Sequence, residues 1–109
     1  MDSEALEFGL KPTVIAQMNE VFARFPEVGQ VILYGSRAKG NFKRGSDIDL
    51  CLVGDGLSMP TLLKIDTALD DLLLPYKIDL SIRDHIDNTE LLSHINRVGT
   101  DFYRRSNKE

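Results

Sequence analysis

Two short segments of this chain alternate with period two and carry acids on the same side, a pattern that demands a sheet with one apolar face and one acidic face. In Asp47-Ile48-Asp49-Leu50-Cys51-Leu52-Val53, Ile48, Leu50 and Leu52 fall on one side of an extended strand, and Asp47 and Asp49 fall on the other. Lys77-Ile78-Asp79-Leu80-Ser81-Ile82 repeats the arrangement, with Ile78, Leu80 and Ile82 apolar and Asp79 opposite. Between the two lies a helical stretch from about Pro60 to Leu74, stopped by Pro75. It places Leu62, Ile65, Leu69, Leu72 and Leu73 on its apolar side and leaves Asp66, Asp70 and Asp71 as solvated charges. If the two strands pair side by side, three carboxylates gather on one face.

The remaining elements follow from similar local signals. The first ten residues read as an irregular lead in which Phe8 and Leu10 dock. Pro12 near a helix start, then Val14, Ile15, Met18, Val21, Phe22 and Phe25 at helical spacing, with Pro26 beyond, define an amphipathic helix whose stripe belongs to the core. A strand runs roughly from Gln30 to Tyr34, and a third helix from about Asn88 to Val98 presents Leu91, Leu92, Ile95 and Val98, with Gly99 placed as its C-terminal cap. The order is α-β-β-α-β-α: an α+β, mixed α/β fold in which helices cover one face of a mixed sheet and leave the other free for chemistry.

The segment between the first two strands supplies the second half of the pattern. Val31-Ile32-Leu33-Tyr34 breaks at Gly35, and Ser36 can cap a helical turn through Arg37-Ala38-Lys39. The first amides of such a turn have no intrahelical acceptors and point forward at an anion, and Gly35, lacking a Cβ, lets the backbone approach closely. An acidic pair on a strand is often only an exposed sheet face. Three acids are different, because like charges about 4 Å apart cost on the order of 4 kcal/mol per pair at an effective dielectric near 20. Metal ions remove that penalty, and oxygen ligands without His or Cys suit Mg²⁺ or Mn²⁺. Of the cations between the glycine turn and the acids, Arg37, Lys39, Lys43 and Arg44, the spacing favours Lys39 or Arg44 for phosphate contact, with Arg37 able instead to pair with structural acids.

The run GSRAKGNFKRGSDIDL, taken with Asp79 in KIDLSI, resembles the minimal nucleotidyltransferases of the DNA polymerase β superfamily, particularly the small MNT proteins that act as antitoxins beside HEPN toxins. The resemblance implies that Gly35 and Ser36 hold nucleotide phosphates, that Asp47 and Asp49 bind two Mg²⁺ ions, and that Asp79 completes the site and helps deprotonate an acceptor hydroxyl. It further implies ATP as substrate and transfer of AMP to a tyrosine of a HEPN-like toxin, in a hetero-oligomer. Two other readings stand beside it: a binding antitoxin that neutralises its partner by covering it, and nucleotidyl transfer to a small molecule or an RNA end.

Composition bounds these choices. With 109 residues, 42% hydrophobic and 28% charged, the chain suits one domain over residues 1–109 with one core, so an acceptor would arrive on another molecule. A net charge of −4 without a long basic run argues against a strong autonomous grip on nucleic acid. The absence of a signal core or membrane-length apolar run points to the cytoplasm and to no membrane partner. The lone Cys51 reads as core filler, Tyr34 as packed, and Tyr103 with Arg104 and Arg105 as a docked tail. His85 and His94 lack a ligand cluster and read as surface or helix-boundary residues.

Overall fold

The structure is a computed structural model that describes residues 5–106; the expected lead and tail therefore fall partly outside the described residues. Helix α1 spans Pro12–Ala23, strand β1 Gln30–Tyr34, the short helix α2 Ser36–Lys39, and strand β2 Ile48–Val53. Helix α3 spans Met59–Asp70, strand β3 Ile78–Ile82, a 3₁₀ turn Arg83–His85, helix α4 Thr89–Val98, and strand β4 Thr100–Arg104. The strands lie in the order β3-β2-β1-β4. β1 runs antiparallel to both β2 and β4, while β2 and β3 are parallel. That parallel pair requires a crossover, and α3 is the crossover.

The apolar parity of the strands meets the helices as the period-two pattern requires. Val31 and Leu33 of β1, Ile48, Leu50 and Leu52 of β2, and Ile82 of β3 are buried with Met18, Val21 and Phe22 of α1 and Leu62, Ile65 and Leu69 of α3. Leu10 joins this core and Phe8 packs against it, so the lead docks as expected. Cys51 is fully buried and its thiol is pushed up by that burial, in keeping with a filler role.

The mixed sheet is present in the expected order and is extended by an element that the sequence presented as a tail. Thr100–Arg104 is β4, paired along the edge of β1. Phe102 of this strand is buried in the core, edge-on to Phe22 at 6.4 Å between ring centroids, and half-buried Tyr103 packs against the same ring at 5.8 Å. Arg105 then closes the end of α1, donating from Nε to Val28 O at 2.9 Å and from Nη2 to Phe25 O at 2.8 Å.

Two further expectations are corrected. α3 ends at Asp70, and Leu73, expected in its apolar stripe, is 87% exposed with φ 57°. Pro75 disfavours helical geometry at the residue before it, so the chain reverses early; Leu72 and Leu74 turn inward in place of Leu73. The acidic face is also less open than expected. A Cβ on Gly99, directly after α4, would strike Cγ2 of Ile32, which points away from the α1–α3 core, so α4 covers the β1 part of the acidic face. Gly99 does cap α4, its N–H donating to Ile95 O at 2.8 Å, but in an extended conformation; the missing Cβ serves close packing rather than a left-handed turn.

Candidate active site

Three neighbouring strands place three polar side chains in one row. β1 pairs Tyr34 with Asp49 of β2, and the parallel register pairs Asp49 with Asp79 of β3. Residues opposite one another in a sheet share a face, with strands about 4.8 Å apart, so Asp49 lies between a phenol and a second carboxylate. Asp47 precedes the first residue of β2 and is exposed, as is Asp79. Asp49 is only partly exposed. Burial first, then the charges of Asp79 and Asp47, hold its carboxyl above the usual carboxylate range. Burial likewise raises the Tyr34 phenol, which the Ser81 side chain partly offsets.

The glycine turn abuts this row. Gly35 adopts φ 79° and ψ −157°, and a Cβ there would collide with Asp49 Oδ2. The absence of a side chain is therefore what lets Asp49 stand against the backbone. Ser36 was expected to cap α2; Gly35 occupies the cap position instead, and Ser36 is the first helical residue. The helix begins its internal bonding only at Lys39, whose N–H reaches Gly35 O at 3.0 Å, and it closes at Gly40 in a left-handed conformation. The amides of Ser36, Arg37 and Ala38 precede the first such bond and so have no acceptor within the helix. Gly35's own amide is engaged elsewhere: it donates to His94 Nε2 at 3.2 Å. Gly35 thus contributes space, and the amides that follow contribute the donors.

Arg37 has a role that the sequence did not disclose. It is 2% exposed, with its guanidinium between the rings of Phe42 and Tyr76, 5.1 and 5.0 Å from their centroids. Its donors reach Phe8 O at 2.8 Å, Ser46 O at 3.0 and 3.1 Å, and Arg44 O at 3.2 Å. These partners are backbone carbonyls rather than the structural acids expected. One buried cation thereby ties the N-terminal lead to the loop that delivers Asp47, a use of the planar five-donor fork that lysine cannot reproduce. Lys39 is exposed at the end of α2, and Arg44 is exposed beside a groove lined also by Leu6, Lys11, Phe42 and Tyr76.

Among the described residues, no group of three His, Cys, Asp or Glu stands close enough to hold a metal ion. What the fold brings together is the Asp49–Asp79 pair, with Asp47 one residue ahead of its strand. The donor set is nevertheless that of a hard cation: oxygen ligands alone, around a carboxyl whose ionisation is opposed by its neighbours. His94 is the second residue whose place the sequence did not reveal. A histidine at helical spacing from Leu91 and Val98 signals a buried edge of α4 but not which strand junction that edge meets.

Comparison with known proteins adds an independent line. The family model described as Polymerase beta, Nucleotidyltransferase matches residues 16–108. No curated protein matches the chain. Among solved structures, a chain of a toxin-antitoxin crystal structure with AMP-PNP is 19% identical, with 84% of this chain and 74% of that one covered at a TM-score of 0.68. A chain of a tri-AMPylated Shewanella oneidensis HEPN toxin in complex with MNT antitoxin is 16% identical over 85% of this chain and 71% of that one, with a TM-score of 0.63. A putative nucleotidyltransferase from Sulfolobus solfataricus is 18% identical over 96% and 94% of the respective chains, with a TM-score of 0.51. At these identities the structural likeness is one of fold.

Proposed function

Since the chain belongs to the Polymerase beta nucleotidyltransferase family, we propose that it transfers AMP from ATP, with Mg²⁺, to a tyrosine hydroxyl of a HEPN-type toxin and so acts as an antitoxin. The observation that carries this reading is the placement of the Gly35–Ser36 turn directly against Asp49, with Asp79 beside it in register. Phosphate donors and cation ligands then share one wall, as a nucleoside triphosphate requires.

Asp47, Asp49 and Asp79 would hold the divalent cations, which when bound polarise the transferred phosphoryl group and lower the pKa of the acceptor hydroxyl. The rest falls to the chain itself. The amides of Ser36, Arg37 and Ala38, with the Ser36 hydroxyl, seat the triphosphate oxygens, and Lys39 or Arg44 adds charge at their edge. Asp79 stands on β3, one of the two outer strands of the sheet, where an acceptor can approach from the side. Its carboxylate takes the hydroxyl proton as the oxygen bonds to the α-phosphorus, the α–β anhydride bond breaks and pyrophosphate departs. The acceptor partner is supported by the fold likeness to chains from toxin-antitoxin complexes, one of them with an AMPylated toxin; the reading sets both partners in the cytoplasm, and among the described residues no helix is long and apolar enough to cross a membrane.

The direct test is incubation with α-labelled ATP, Mg²⁺ and a HEPN-type partner encoded beside this chain. Label should pass to the partner and be lost in Asp47→Ala. Neutralisation that persists without label transfer, and persists in Asp47→Ala/Asp49→Ala, would instead establish an antitoxin that acts by binding alone.

A further inference from the structure

Gly35 is held from behind by a residue 59 positions away. Its amide donates to His94 Nε2 at 3.2 Å, and the imidazole meets Tyr34 edge-on, with centroids 6.1 Å apart and planes at 82°. On its other side Gly35 abuts Asp49. One imidazole therefore fixes a backbone position that in turn supports an acid.

The junction needs such an anchor. At φ 79° and ψ −157° Gly35 belongs to neither β1 nor the repeating geometry of α2, and glycine has more freedom to relax than any other residue. An external acceptor for its amide removes that freedom and satisfies a part-buried donor. Nε2 can accept only from the neutral imidazole that carries its proton on Nδ1. The helix presenting it is itself secured: Ile95 is 2% exposed, Asn88 Oδ1 caps Leu91 N at 3.0 Å, and Arg83 donates to Asn96 Oδ1 at 3.1 Å.

We infer that His94 is a positioning residue of the nucleotide site, holding Gly35 so that the first-turn amides of α2 and the Asp49 carboxylate keep the spacing a triphosphate and its cation require. It acts through Gly35 rather than on the nucleotide. The inference rests on the functional reading above, in which this wall binds a nucleoside triphosphate.

Two substitutions separate the hydrogen bond from the packing. His94→Phe retains a ring against Tyr34 but has no acceptor, whereas His94→Gln restores an acceptor without the ring; His85→Ala, on the exposed 3₁₀ turn, is the control. The probe is AMP-PNP with Mg²⁺, titrated calorimetrically into the full chain, and backbone amide exchange at Gly35 is followed by NMR in the same proteins. His94→Phe is expected to weaken binding about tenfold, the worth of one hydrogen bond, and to speed Gly35 exchange by a similar factor. His94→Gln should recover most of both, and His85→Ala should match the wild type. Wild-type affinity in His94→Phe, or a His94→Gln variant as weak as His94→Phe, overturns the inference alone. A wild-type chain that binds no AMP-PNP overturns the functional reading and the inference together.

Discussion

Asp49 occupies a setting that costs the folded chain stability. Its carboxyl is held above the usual carboxylate range by burial and by Asp79 and Asp47, so the charged form is less favourable in the folded chain than in the unfolded one. The folded protein consequently binds more protons between the two pKa values, and stability falls as pH rises through that window. The penalty is complete above the folded value and vanishes below the unfolded value of about 3.9. Without divalent cations, Asp49→Asn should melt roughly 2–5 °C above the wild type at pH 7, a modest gain because Asp49 keeps contact with solvent. The gap should close as pH approaches about 4, and transfer activity should be lost; thermal denaturation across pH measures the first and the label assay the second. Asp49 and Asp79 were legible in the sequence because period two fixes the face of every strand residue. Arg37 and His94 were not, because their hydrogen-bond partners are backbone groups, which leave no mark on residue identity.

Among the elements, β4 and α1 depend on each other. Helix α1 has no basic residue in its last turn, and Arg105, directly after β4, supplies the missing donors to Phe22, Ala23 and Phe25 carbonyls. It also anchors the strand, since its amide reaches Gly29 O at 2.9 Å. Removing it takes a charged donor from several carbonyls at once, although Phe22 O and Phe25 O keep the backbone donors Phe25 N–H and Val28 N–H at 3.1 and 2.9 Å. Arg105→Met should cost roughly 1–3 kcal/mol, seen as a lower denaturant midpoint with an unchanged slope. β4 was hidden in the sequence because only Phe102 of its five residues is buried and its aromatic neighbour Tyr103 breaks the period-two alternation; its strand character comes from the open edge of β1. The side of the sheet taken by α4 was hidden for a related reason. Its apolar stripe announces a buried face, and nothing in the stripe says which face of the sheet it meets.

At the scale of the molecule, the sheet order leaves β3 at an edge, so the acidic row ends where a second molecule can reach it. α4 closes the β1 end of the same face and braces the glycine turn through His94. The wall proposed for the nucleotide is built within one sheet face, and the net charge of −4 argues against a strong grip on a polynucleotide. The central claim concerns that wall and can be tested without any partner, by calorimetric titration of AMP-PNP into the wild type and into Asp49→Ala/Asp79→Ala, each with and without Mg²⁺. The account predicts saturable binding to the wild type that requires Mg²⁺ and is lost in the double variant. Binding of equal strength in the double variant, or no binding to the wild type with Mg²⁺ present, would contradict it.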